Sequence, residues 1–171
     1  MNQILNVKVN LSSLDLMRAD CSRHLMRMMD EFEIPYDWIQ FEITETVATE
    51  YNASLRKVVD EFTNAGIQLC LDDFGSGYAN LSRILRLPFH VIKMDRSLLQ
   101  GICESKKSAA IYHSVVDTLH NIGYQIVSEG VETAQEADLL AQWNVDMIQG
   151  YYYAKPQPEN KVLRICNKPN T

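Results

Sequence analysis

Asn64-Ala65-Gly66-Ile67-Gln68-Leu69-Cys70-Leu71-Asp72-Asp73-Phe74-Gly75 runs from the end of an amphipathic segment, through a glycine, into an apolar run that closes on two carboxylates. The pattern before it predicts a helix over Asn52–Ala65, with Leu55, Val58, Val59 and Phe62 on one face. Gly66 suits the left-handed residue that follows a helix, and a strand over Ile67–Leu71 begins at once. Asn121-Ile122-Gly123-Tyr124 repeats the arrangement: a helix over Ser108–Ile122 turns Ile111, Val115, Val116 and Leu119 to one side, and a strand over Tyr124–Ser128 follows the glycine. Two copies of helix, glycine and strand point to a fold built from βα units.

Further strand-like runs lie at Ile4–Leu11, Ile39–Ile43, His90–Met94 and Met147–Tyr151. A last helix begins at Thr133, whose hydroxyl caps it while Glu136 reaches back to the Thr133 amide, and Ala137, Leu140 and Ala141 face inward. The predicted order is strand and helix in strict alternation, with six strands. Each apolar run ends on polar residues: Asn10, Glu42, Asp72 with Asp73, Lys93 with Asp95, Glu129, and Gln149. Parallel strands deliver their C-terminal ends to one face, so these residues are expected to converge. Six such strands fit an open doubly wound sheet or most of a barrel. No G-x-G-x-x-G follows the first strand, and the polar ends are spread over all six, which favours a barrel mouth. A closed eight-stranded barrel takes about 250 residues; 171 predict an incomplete one.

Composition narrows the function classes. With 46% hydrophobic and 22% charged residues the chain has enough apolar side chain for one sizeable core. A formal net charge of -6 argues against binding nucleic acid polymers or anionic membrane, so an anionic ligand would need a metal bridge. Cys21, Cys70, Cys103 and Cys166 have neither C-x-x-C nor zinc spacing and read as reduced, mostly buried thiols. Met1–Ser13 has no leader pattern and no apolar run approaches the ~18 residues of a membrane span, so the expectation is a cytoplasmic chain without membrane insertion.

The polar strand ends each admit two readings. Asp72 and Asp73 are adjacent carboxylates that would repel unless a cation lies between them; they suit a divalent-metal site or, more plainly, a helix cap or turn. Glu42 shares a strand face with Thr44 and is either a ligand or a solvated strand end, while Glu45 starts the following loop. Asn10 offers an amide oxygen to a hard metal or sits in a turn. Lys93 and Asp95 share a face, as a phosphate-facing pair or a structural ion pair. Glu129 before Gly130 is placed to hold a metal or take a proton from water, and Glu132 is read as a helix cap. Met26, Met28 and Met29 read as packing, His24, His90, His113 and His120 form no metal spacing, and Tyr151–Tyr153 read as core and rim or as a stacking surface for a base.

In order, Val9-Asn10-Leu11-Ser12, Phe41-Glu42-Ile43-Thr44-Glu45, Asp72-Asp73-Phe74-Gly75-Ser76-Gly77-Tyr78, Ile92-Lys93-Met94-Asp95, Ser128-Glu129-Gly130-Val131-Glu132-Thr133 and Gln149-Gly150-Tyr151-Tyr152 resemble the motifs of the EAL-domain cyclic di-GMP phosphodiesterases, from about Val7 to Pro156. The resemblance implies a TIM-like (β/α) barrel and Mg²⁺- or Mn²⁺-dependent hydrolysis of cyclic di-GMP to linear pGpG. Asn10, Glu42, Asp72, Asp73 and Glu129 match its metal ligands, and Glu129 and Lys93 its base and electrostatic stabiliser. Gln149 and Asp95 match supporting polar residues, and Glu45 the anchor of the mobile loop after the Asp pair. In the family the Glu-Ala-Leu signature strand, with one more metal ligand, comes before the Asn-Leu-Ser strand. Residues 1–160 are therefore expected to form a domain without those first strands and helices, with 161–171 a tail. Two partners follow as expectations besides cyclic di-GMP: a homodimer, or a second polypeptide that completes the barrel. A non-catalytic module that binds cyclic di-GMP or a protein is the alternative.

Overall fold

The computed structural model describes residues 6–49, 53–77 and 87–166. Six parallel strands form one sheet in the order of the chain: β1 (Val7–Asn10), β2 (Ile39–Thr44), β3 (Gln68–Phe74), β4 (Val91–Met94), β5 (Gln125–Ser128) and β6 (Met147–Ile148). The helices are α1 (Ser13–Leu16), α2 (Cys21–Glu31), α3 (Glu45–Thr49), α4 (Ala53–Asn64), α5 (Arg96–Leu99), α6 (Lys106–Asn121), α7 (Ala134–Gln142) and α8 (Glu159–Cys166). The result is a half-barrel whose edges are β1 and β6. Most of the connection between β3 and β4, where the alternating order implies another helix, lies outside the described residues.

Strand alternation sorts the side chains into two layers. One face of the sheet packs against the helices: Phe41, Ile43, Leu69, Leu71, Ile92, Met94 and Ile126 are buried with Leu55, Val59 and Phe62 of α4 and Tyr112, Val116 and Leu119 of α6. Phe41 and Phe62 meet with ring centroids 4.7 Å apart, and full burial of a side chain such as Phe62 contributes about 1.5–3 kcal/mol. The other face, the barrel interior, carries a small apolar cluster of Cys70, Val91 and Val127 with Met147 against it. Glu42, Asp72 and Lys93 follow on that face toward the C-terminal ends of the strands.

The two glycines behave as their sequence contexts predict. Gly66 and Gly123 have φ of +83° and +95°, ending α4 and α6 just before β3 and β5. The capping box at Thr133 and Glu136 is formed, with the Glu136 amide donating to Thr133 Oγ1 and the Thr133 amide to Glu136 Oε2.

Other expectations need correction. β3 runs on through Asp72 and Asp73 to Phe74 instead of stopping at Leu71. The final strand is only Met147–Ile148, because the Tyr152 amide donates to Val131 O and the Tyr153 amide to Gly150 O, turning the chain away. Tyr151, Tyr152 and Tyr153 are consequently exposed and not core. Ile111 and Ala141 are exposed, not inward-facing, and Met28 is exposed beside the buried Met29. Glu45 opens helix α3 instead of a loop. Cys21 and Cys70 are buried free thiols, and burial pushes the Cys70 thiol up to about 12. Helix α8 starts ahead of residue 161, so the segment expected to be a tail is helical as far as Cys166. No helix among the described residues is long and apolar enough to cross a membrane.

Candidate active site

Lys93 is the centre of the site. Its ammonium, on the buried strand β4, lies 2.9 Å from Glu42 Oε1, 2.7 Å from Asp72 Oδ1 and 2.6 Å from Glu129 Oε1. A lysine ammonium has three N–H donors, and three carboxylates from β2, β3 and the end of β5 take them. Burial alone would lower the Lys93 pKa, but its hydrogen bonds to Asp72, Glu129 and Glu42 prevail and hold it above the ordinary lysine range. Lys8 of β1 stands 4.0 Å from the same Glu42 oxygen, a second cation on the interior face.

Adjacent residues on a regular strand point to opposite faces, so Asp72 and Asp73 should not both reach one site. A bulge resolves this. Leu71 pairs with Ile92 and Phe74 with Met94, so Asp72 and Asp73 together oppose the single residue Lys93. Asp73 takes a φ of +58°, uncommon for a residue with a Cβ, and its carboxylate then joins the cluster. Ligand oxygens of Asp72, Asp73 and Glu129 all lie within 4.8 Å of one another. A set of hard carboxylate oxygens at that spacing fits Mg²⁺ or Mn²⁺ in its donor chemistry.

Two carboxyls of the cluster resist ionisation. Burial raises the Glu129 pKa; the Lys93 ammonium pulls it down and the Asp72 and Glu42 carboxylates push it up again, leaving it above the ordinary range. Asp73 is raised by burial, then by Asp72 and Asp95, against Lys93. A carboxyl whose folded pKa exceeds its unfolded one favours folding at low pH, and that contribution disappears as pH rises through the folded value. In metal-free protein the melting temperature of Glu129→Gln minus that of the wild type is therefore expected to grow from pH 4 to pH 7. Calorimetry in chelator checks this, and a flat difference would mean that ionising Glu129 costs the fold nothing.

The remaining predicted residues surround this cluster. Asn10 is exposed at the end of edge strand β1, in register with Glu42. Asp95 leaves β4 as the N-cap of α5, accepting from the Ser97 amide at 2.9 Å. Gln149, just past β6, is exposed on the other flank. Asp95, Glu129 and Gln149 line one cavity of about 280 Å³ together with Arg96, Glu132 and Tyr151. A second cavity, about 440 Å³, lies on the open side of the half-barrel between Lys8 and Met147, Gln149 and Tyr153.

Glu45 is buried, and its Oε2 accepts from the Gly75 amide at 2.7 Å, tying the turn after the Asp pair to the start of α3. Glu45→Ala removes a charged acceptor and is expected to cost about 1.5–3 kcal/mol in urea unfolding. Hydrogen exchange around Gly75 should rise with it, and unchanged exchange there would deny the anchoring.

The EAL domain profile matches residues 1–156. This chain belongs to the EAL domain family. It is 32% identical over 167 residues to cyclic di-GMP phosphodiesterase RocR of Pseudomonas aeruginosa, covering 98% of this chain and 43% of RocR. It is 32% identical over 154 residues to cyclic di-GMP phosphodiesterase PdeR of Escherichia coli, covering 90% of this chain and 23% of PdeR. The chain thus spans less than half the length of these relatives. Among solved structures it resembles the EAL domain of Mycobacterium smegmatis DcpA, with a TM-score of 0.87 at 28% identity over 94% of this chain and 72% of that one. The MucR phosphodiesterase in complex with cyclic di-GMP gives 0.84 at 26% identity, over 92% of this chain and 64% of that one.

Two features of this EAL domain escaped the sequence reading. Lys8 precedes Asn10 by the two-residue strand period, which was the available signal that it shares the interior face. Glu132 does not cap α7 with its carboxylate; it pairs with Arg96 at 2.7 Å, while the cap is made by Thr133 and Glu136. Nothing local in the sequence joins Arg96 to Glu132.

Proposed function

We propose that this EAL domain binds cyclic di-GMP and hydrolyses it to linear pGpG with Mg²⁺ or Mn²⁺. The observation that carries the proposal is the gathering of Glu42, Asp72, Asp73 and Glu129 around Lys93 at the C-terminal end of a parallel sheet. Asp72, Asp73 and Glu129 would hold the metal, with Glu42 and Asn10 contributing from the β1–β2 side. A divalent cation there supplies polarisation of a phosphoryl oxygen and acidification of water. The carboxylates that Lys93 alone does not balance would be offset by such a cation.

The chain's own residues account for the rest. Glu129, with its raised pKa, is suited to accept a proton from the attacking water at neutral pH. The water oxygen bonds to phosphorus as the bond to the 3′ oxygen breaks, and the proton taken up by Glu129 is passed on to that leaving oxygen. Lys93 yields one of its three carboxylate contacts to a phosphoryl oxygen and stabilises the charge gathering there. Gln149 and Asp95 offer an amide and a carboxylate to the nucleotide from the adjoining cavity. The relatives named as cyclic di-GMP phosphodiesterases support this reading, and it places the chain in the cytoplasm with its substrate.

Incubation of the purified chain with cyclic di-GMP and excess Mg²⁺ or Mn²⁺, followed by chromatography, is expected to yield pGpG, and Asp72→Asn to abolish it. No product from the wild type would overturn the catalytic reading.

The open edge of β1 favours a second reading, a non-catalytic module that binds cyclic di-GMP or a protein. Val7 and Val9 remain 49% and 37% exposed on that edge, and an unpaired strand edge invites a partner, either a second copy or another polypeptide that completes the barrel. A cooperatively melting monomer in sedimentation and calorimetry would remove the barrel completed by a partner.

A further inference from the structure

Three observations meet on the turn that follows Glu129. Gly130 has φ +72°, and a Cβ there would lie 2.6–2.8 Å from Cβ, Cγ and Cδ of Arg96. The aliphatic stem of the arginine is thus laid directly on the residue after Glu129. The guanidinium at the end of that stem is 2.7 Å from Glu132 Oε1. Glu136, which faces the same guanidinium, accepts from the Glu132 and Thr133 amides at 3.0 and 2.9 Å. One side chain from the start of α5 therefore grips the β5–α7 turn both by packing and by charge.

We propose that Arg96 is a positioning residue: its stem on Gly130 and its ion pair with Glu132 hold the Glu129–Thr133 turn so that Glu129 faces Lys93. An exposed pair has little value for global stability, and Arg96 and Glu132 are 58% and 41% exposed in their side chains. The function of the contact is local. The turn is also held by the Glu129 amide donating to Met94 O at 3.1 Å, the Val131 amide to Gln149 O at 3.2 Å, the Tyr152 amide to Val131 O at 3.0 Å, and the Glu132 and Thr133 amides to Glu136. The Val131 bond orients the Gly130–Val131 peptide, none of these bonds is made by the Gly130 amide itself, and Arg96 packs on that residue.

The metal-binding reading above enters only in what the position of Glu129 serves, and the experiment separates the two. Arg96→Glu, Glu132→Arg and the double exchange are compared by hydrogen exchange over residues 128–133 and by Mn²⁺ titration, with Glu129→Gln as reference. Each single variant is expected to exchange at least about tenfold faster in that turn and to bind Mn²⁺ about 10–100-fold more weakly, as for other residues that orient metal ligands. The double exchange should recover part of both, since it rebuilds the pair with reversed sign but not the arginine stem on Gly130. Unchanged exchange in the single variants, or no recovery in the double, would overturn the proposal. If the wild type takes up no Mn²⁺, the metal reading fails while the exchange comparison still decides whether Arg96 holds the turn. Exchange changes with unaltered Mn²⁺ affinity would overturn the positioning role, because Glu129 would then bind equally well from a loosened turn.

Discussion

Lys93→Met is expected to lower the stability of the metal-free protein by about 3–5 kcal/mol at pH 7, the usual loss when one member of a buried charge cluster is removed. Methionine keeps the length and apolar stem of lysine, so packing on β4 is largely preserved. What disappears is the ammonium shared by Glu42, Asp72 and Glu129, whose carboxylates then face one another inside the half-barrel. The loss should shrink as pH falls, because neutral carboxyls need no counter-charge, and Glu129 and Asp73 already protonate above the ordinary range. Urea unfolding at pH 7 and pH 4.5 reads both effects. Equal midpoints for variant and wild type at pH 7 would mean that Lys93 does not balance these charges. Any pGpG formation should fall by about 10²–10³, as for loss of one fixed stabilising charge.

Gly150→Ala should be nearly as damaging for a different reason. A methyl at Gly150 would run into the backbone nitrogen and oxygen of Val131, with the carbonyl carbon 2.7 Å away. Backbone cannot rotate aside as a side chain can. The collision falls inside a clasp in which the Val131 amide donates to Gln149 O and the Tyr152 amide to Val131 O, at 3.2 and 3.0 Å. Overpacking and the strained bonds together are expected to cost about 2–4 kcal/mol. Gln149 and Tyr151 should be displaced with them, weakening nucleotide binding. Gly66→Ala is the comparison: φ is also positive, but nothing lies within 4 Å, so only the backbone penalty of about 1–2 kcal/mol applies. If the two alanines cost the same, close approach at Gly150 is not what the glycine serves.

The elements legible in the sequence were those with local causes. Gly66 and Gly123 announce two helix ends, the Thr133 capping box marks α7, and short apolar runs mark five of the strands within a few residues. Helix faces were harder to read. Tyr112, Val116 and Leu119 form the buried stripe of α6, and Ile111 lies one residue, about 100°, round from it. The apolar spacing of Ile111 with Val115 was real, but that row is the flank of the stripe. The site was legible as a set of strand ends, because topology alone brings such ends together. Its finer features depend on contacts across the sheet: the bulge that turns Asp73 toward Asp72, the three-way sharing of Lys93, and the grip of Arg96 on Gly130.

Sheet order equal to chain order has a consequence for how the molecule forms. Each strand from β2 onward pairs with the strand made just before it, and none has to wait for a segment still to come. Synthesis from the N-terminus can therefore extend the sheet one βα unit at a time, as in solenoid proteins. The carboxylates of β2 and β3 emerge before Lys93, so the growing chain carries an acidic cluster offset only in part, by Lys8 beside Glu42, until β4 docks. The moment β4 docks is when the nascent sheet stops repelling itself.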